Sequence, residues 1–136
     1  MGSYLIVANQ TLTSQSLVDA IEARRAKGPM RAFVVVPFTP VGGRLTWDEE
    51  ESRAVAQSRL DEVLARLRAL GVGAEGEVGD RDPVQAVRDA LRGREVDEVI
   101  VSTLPRGISR WLGEDVPSRL TDAVSVPVTV VTQDAS

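Results

Sequence analysis

The chain has 136 residues, 43% of them hydrophobic and 26% charged, with a formal net charge of −4. This length and balance suit one globular domain with a buried core, and the acidic surplus argues against a nucleic-acid partner, which needs a basic surface to release counterions. Cysteine and histidine are both absent, which excludes disulfides, thiolate chemistry, the commonest metal ligand and the commonest general base.

No apolar run approaches the roughly 20 residues needed to span a bilayer. The start Met1-Gly2-Ser3-Tyr4 lacks the basic-then-apolar pattern of an export signal, so a cytoplasmic protein without a membrane partner is expected. Lys27 is the sole lysine and the other cations are arginines, which leaves no loop lysine for a Schiff base or a phosphate clamp.

The first apolar run, Tyr4 to Ala8, predicts a strand. A helix follows over about 14–27, with Leu17, Ala20, Ile21 and Arg24 on one face and Gly28-Pro29 as its stop. A second strand is predicted at 32–37, Ala-Phe-Val-Val-Val-Pro. The next helix covers about 47–70, where Val55, Ala56, Leu60, Val63, Leu64, Leu67 and Leu70 keep the helical period. Thr46-Trp47-Asp48-Glu49 has capping-box spacing, the acids from Asp48 to Glu51 suit the positive end of a helix dipole, and Gly71 ends the helix.

The stretch 72–78 alternates and carries two glycines, which predicts a strand at a sheet edge. Asp82-Pro83 opens a third helix with an aspartate cap and a proline in the first turn; Val84, Val87 and Leu91 line its apolar face and Gly93 closes it. A fourth strand is predicted at 98–102, a fourth helix from Pro117 to about Val124, and a fifth strand at 126–132. Strands one, two, four and five are nearly continuous in β-branched residues, as expected of strands covered on both faces. Strands alternating with helices under right-handed crossovers predict a single α/β domain, an open, doubly wound, five-stranded parallel sheet. Ligands of such sheets bind at the carboxyl ends of the strands. The candidates are therefore Asn9, Gln10 and Thr11 after strand one, Val36 and Pro37 at the end of strand two, and Ser102, Thr103, Arg106, Gly107 and Arg110 in and after strand four.

Three segments carry a resemblance. They are Val78-Gly79-Asp80-Arg81-Asp82-Pro83 leading into helix three, Val96 to Ser102 in strand four, and Arg106 to Leu120 followed by Val126-Pro127-Val128-Thr129-Val130-Val131. In this order they resemble the universal stress protein family, and the arginine bias suits a divergent, actinobacterial-type branch. The resemblance implies the strand order 3-2-1-4-5, a stress-associated role, a homodimer formed through the last strand, and ATP bound on a glycine loop after strand four. Glycines let backbone N–H groups approach phosphates, and the helix start beyond them favours anions.

In this chain Ser102 aligns with the first loop glycine and Pro105 with the second. Glu114 and Asp115 fall near the last glycine and hydroxyl, and the spacing is one residue short. Pro105 offers no N–H, and Glu114 and Asp115 put negative charge where a triphosphate would lie. Asn9 stands where ATP-binding relatives have an aspartate. No cofactor is therefore expected, and binding of ATP or another adenine nucleotide should be weak or absent. Arg106, Arg110 and Arg119 pull the other way, because guanidinium forks bind phosphate without glycines. Ion pairing with Glu114, Asp115 and other surface acids is the competing role for them. Trp111 is expected to cover the loop, half-buried, rather than to stack on a base.

The leading expectation is a non-catalytic binding or regulatory module, with a small anionic ligand and a second copy of itself as partners. The alternative is a transferase or hydrolase acting on a nucleotide or phosphorylated substrate through Arg106, Arg110 and an acid such as Glu114 or Asp80. A minor alternative is a flavin site: Thr11-Leu12-Thr13-Ser14-Gln15-Ser16 resembles the phosphate loop of flavodoxins, with Trp47 and Trp111 to flank a ring. Helix capping by Thr13 or Ser14 explains the same hydroxyls. Asp80 with Asp82, and the acids of 48–51, match helix starts better than metal or acid–base pairs. On the last strand Val128, Val130 and Val131 are the expected dimer contacts, since a bare apolar edge invites another chain.

Overall fold

The computed structural model describes residues 2–8, 15–37, 49–79, 82–103 and 116–132. They form β1 (Gly2–Ala8), α1 (Gln15–Arg25), β2 (Met30–Pro37), α2 (Glu49–Ala69), β3 (Gly73–Gly79), α3 (Pro83–Leu91), β4 (Glu98–Thr103), α4 (Val116–Ala123) and β5 (Val128–Thr132). All strand pairs are parallel, as the element pattern predicts, and the order is β3-β2-β1-β4-β5, as the resemblance implies.

Three strands begin elsewhere than the sequence reading puts them. β1 and β2 begin earlier, because Gly2 pairs with Met30 in register and its N–H donates to the Pro29 carbonyl; Gly2-Ser3 and Arg31 interrupt the apolar runs and hide these starts. β5 begins only at Val128. Pro127 lies just before it and serves the ladder through its carbonyl alone, accepting from the Val99 N–H at 2.9 Å.

Strand alternation divides the core into two layers. Ile6, Ala8, Ala32, Val34, Val36, Ala74 and Ile100 face α1 and α2, meeting Leu17, Ile21, Leu60, Val63 and Leu67. Leu5, Val7, Val35, Val99 and Val101 face α3 and α4, meeting Val84, Val87, Ala90, Val116 and Leu120. Each wholly buried Leu, Ile or Val contributes about 1.5–3 kcal/mol against conformational entropy. The helix stops are as expected: Gly71 and Gly93 hold φ of 85° and 72°, a region that favours glycine. Asp82 caps α3 by accepting the Val84 N–H at 3.1 Å.

The edge strand β3 comes close to its neighbours. A Cβ on Gly76 would run into the Val34 carbonyl oxygen and stand 2.7 Å from Leu60 Cδ1. On the other face, a Cβ on Gly79 would lie 2.8 Å from Ala86 Cβ. The glycines of this strand thus let α2 and α3 settle onto it.

A polar staple closes the amino end of the sheet. Arg24, on the apolar face of α1, meets Glu98 at the start of β4: Nε donates to Oε1 at 2.8 Å and Nη2 to Oε2 at 2.7 Å. Nη1 donates back to the Ala20 carbonyl, and the Thr129 hydroxyl of β5 donates to Glu98 Oε2. Both charged side chains are 17% exposed. The hydrogen bonds from Arg24 hold the Glu98 carboxyl below its ordinary range; partial burial opposes them and the Thr129 bond adds to them. Nearby, the Asp97 N–H donates to the Ser3 carbonyl while the Ser3 N–H donates to the Asp97 carboxylate.

Two predictions follow from this packing. Gly76→Ala should destabilise by about 1–3 kcal/mol through overpacking, and a denaturant midpoint equal to wild type would refute the close approach. Glu98→Gln should lose about 1–2 kcal/mol at neutral pH, because a charged hydrogen bond is weakened. A carboxyl lowered by folding stabilises above its unfolded pKa of about 4.3 and loses that contribution as pH falls through the lower native value. The gap between wild type and Glu98→Gln in urea melts should therefore narrow from pH 7 towards about pH 3. A gap that stays constant over that range would contradict the pairing.

Candidate functional site

The chain leaves β1 towards β2 and β3 on one side, then returns to place β4 on the other side of β1. The strand order thus reverses between β1 and β4, and in sheets of this kind ligands bind at the carboxyl ends of the strands beside such a reversal. Register sets which strand ends lie level there: Ala8 pairs with Ser102, Ser102 with Val131, and Pro37 with Gly79. Ser102 lies inside β4, not after it, and is 0% exposed; it is the one buried polar residue among those described. No buried side-chain polar atom among the described residues lacks a partner.

Of the residues singled out from sequence, Val36, Pro37, Ser102 and Thr103 come together at the carboxyl ends of β2 and β4, with Val36 and Pro37 buried. Asn9, Gln10, Thr11, Arg106, Gly107 and Arg110 lie outside the described residues, as do Asp80, Pro105, Trp111, Glu114 and Asp115.

At this same end Asp82 and Arg119 tie α3 to α4. Arg119 Nη2 stands 3.3 Å from Asp82 Oδ1, each side chain being 46% exposed. Such an exposed pair is worth about 0–1 kcal/mol, so it orients more than it stabilises. Arg119 thus has an acid partner, and Asp82 is engaged in capping. Among the described residues no group of three or more His, Cys, Asp or Glu could hold a metal ion, and no helix is long and apolar enough to cross a membrane.

Among the described residues the edge strand β5 pairs only with β4. Val128 and Val131 are half-buried against the two core layers. Val130, 36% exposed, is the exposed large hydrophobic residue among those described. A shallow depression of about 240 Å³ beside it is lined by Pro117, Thr121, Asp122, Val128 and Val130.

A larger groove, about 990 Å³, lies at the opposite end of the sheet, among the starts of β1, β2 and β3 and the ends of α1 and α2. Arg25, Arg31 and Arg68 line it together with Tyr4 and Phe33. The sequence offered one signal for it, the arginines in the last turns of α1 and α2; their convergence depends on topology.

The fold agrees with solved universal stress protein structures. One from Arabidopsis thaliana, with AMP bound, aligns with a TM-score of 0.61 at 12% identity, covering 98% of this chain and 93% of that one. One from Burkholderia pseudomallei gives 0.57 at 19% identity, covering 94% of each chain. A hypothetical protein whose biochemical function was assigned from its structure gives 0.59 at 16% identity, covering 97% of each chain. No curated protein sequence is significantly similar to this one. The universal stress protein family model matches residues 8–132, nearly the whole length, and the chain belongs to that family.

Proposed function

We propose that this domain is a non-catalytic, stress-associated binding or regulatory module in which an adenine nucleotide binds weakly or not at all. The observation that carries this reading is Ser102, wholly buried within β4 at the position where a phosphate loop would place its first glycine. The sequence beyond it supports the same reading. Pro105 lacks an N–H, Glu114 and Asp115 oppose a triphosphate, and Asn9 replaces a charged residue. The absence of histidine and cysteine from the chain removes the usual bases and nucleophiles. AMP in the Arabidopsis thaliana structure makes an adenine nucleotide the first ligand to test. Calorimetric titration with magnesium and ATP should give a dissociation constant above about 100 μM, weaker than about −5.5 kcal/mol. A sub-micromolar constant would overturn the reading and assign the phosphates to Arg106 and Arg110.

The module acts as a homodimer joined along β5. Support comes from the exposed Val130 on an edge strand without charge and from the depression beside it. A bare apolar edge is stabilised by a two-fold copy of itself. Light scattering at micromolar concentration should report a dimer, and Val130→Asp a folded monomer with unchanged circular dichroism. A wild-type monomer, or a Val130→Asp dimer, would rule this interface out.

A further inference from the structure

We infer that the groove at the amino end of the sheet is a ligand site, separate from the carboxyl ends of the strands, for a small organic anion with an apolar body, such as an aryl phosphate or carboxylate. Its volume, about 990 Å³, falls at the upper end of the range of small-molecule pockets. Three arginines, Arg25, Arg31 and Arg68, line it with one acid, Glu75; Arg25 and Arg68 end the helices on one face of the sheet, while Arg31 alternates to the other face from Met30 and Ala32. This local excess of positive charge occurs in a chain whose net charge is −4.

One of the arginines is held in place. Arg68 donates from Nε and Nη2 to the Ala74 carbonyl, at 3.3 and 2.9 Å, across the turn that joins α2 to β3. These bonds employ two of the five N–H donors and fix the guanidinium plane. Arg25 brings its Nη2 close to Gly71, where a Cβ would stand 2.5 Å from it. A guanidinium already ordered loses less entropy when it takes up a phosphate or carboxylate in its fork.

Basic residues at helix ends also serve to offset the helix dipole, and both α1 and α2 end here. That role does not account for Arg68, which reaches away from its own helix to a carbonyl of β3. The lining also includes apolar and aromatic residues, among them Tyr4, Phe33 and Val96, beside Ser3 and the glycines of the turns. Apolar walls with a few fixed cations select an amphipathic anion over bare phosphate.

The test is an NMR titration of the isotope-labelled protein with phenyl phosphate. Saturable shifts are expected at the amides of Gly71, Gly73 and Ala74 and at the side-chain Nε of Arg25 and Arg68, with a dissociation constant of about 1 mM or tighter. The double variant Arg25→Gln with Arg68→Gln, its folding verified by an unchanged melt, should bind at least about tenfold more weakly. Inorganic phosphate should bind wild type at least about threefold more weakly than phenyl phosphate. The inference is overturned by shifts that fail to saturate by about 10 mM, by shifts confined to the carboxyl ends of the strands, by a double variant that binds like wild type, or by equal affinity for inorganic phosphate. Failure here leaves the ATP and dimer tests untouched, since those address the other end and the edge of the sheet.

Discussion

The architecture depends on β1 pairing on both sides, with β2 on one edge and β4 on the other. Once β1 is central, the chain must wind outward in two directions, and right-handed crossovers then put α1 and α2 on one face and α3 and α4 on the other. Both faces of the inner strands become core, which is why Leu5, Ile6 and Val7 are all 0% exposed although they point to alternate sides. The same reversal sets Ser102 level with Ala8 at the carboxyl ends of the inner strands. It also leaves two unlike edges. β3 is acidic at Glu75 and Glu77 and glycine-lined, whereas β5 is apolar and uncharged.

The two ends of the sheet differ in chemistry as well. At the carboxyl ends the described floor is small or apolar, with Ala8, Val36 and Pro37 around a serine that has no exposed surface. At the amino ends the charges are closely organised. Arg24, Glu98 and Thr129 join three elements, Asp97 and Ser3 exchange hydrogen bonds, and Arg94 lies 3.6 Å above the Phe33 ring. An arginine over an aromatic face is attracted by the ring quadrupole, which keeps this end both cationic and ordered.

Much of the fold was legible because the signals are local. Continuous β-branched runs marked the inner strands, the glycines of 72–78 marked an edge, and Asp82-Pro83 marked a helix start whose cap is the one observed. Arg24 stood on the apolar face of its helix pattern, but nothing in the sequence names Glu98 as its partner 74 residues away. The glycines of β3 could be read as a weak strand; that Gly76 makes room for Leu60 depends on packing between elements. The site was less legible for the same reason. Ser102 read correctly as the end of strand four, but that it pairs with both Ala8 and Val131 and has no exposed surface depends on the order of the sheet. The groove formed by Arg25, Arg31 and Arg68 gathers residues from three elements whose neighbourhood only the topology defines.

The Arg24–Glu98 staple has a consequence for the order in which the chain can complete itself. Synthesis runs from the amino end, so α1 exists long before β4 does, and Arg24 must wait for a carboxylate supplied after two more strands and two more helices have been made. Closing so wide a span costs loop entropy that grows only slowly with length, but it cannot be recovered until the two ends meet. Parallel sheets with distant pairings are slow folders for this reason. In a nascent chain ending before Glu98, the central strand β1 would have one open edge and Arg24 no such partner. Completion of this domain is thus reserved for its last third, where β4 fills the open side of β1 and β5 brings Thr129 to the same carboxylate.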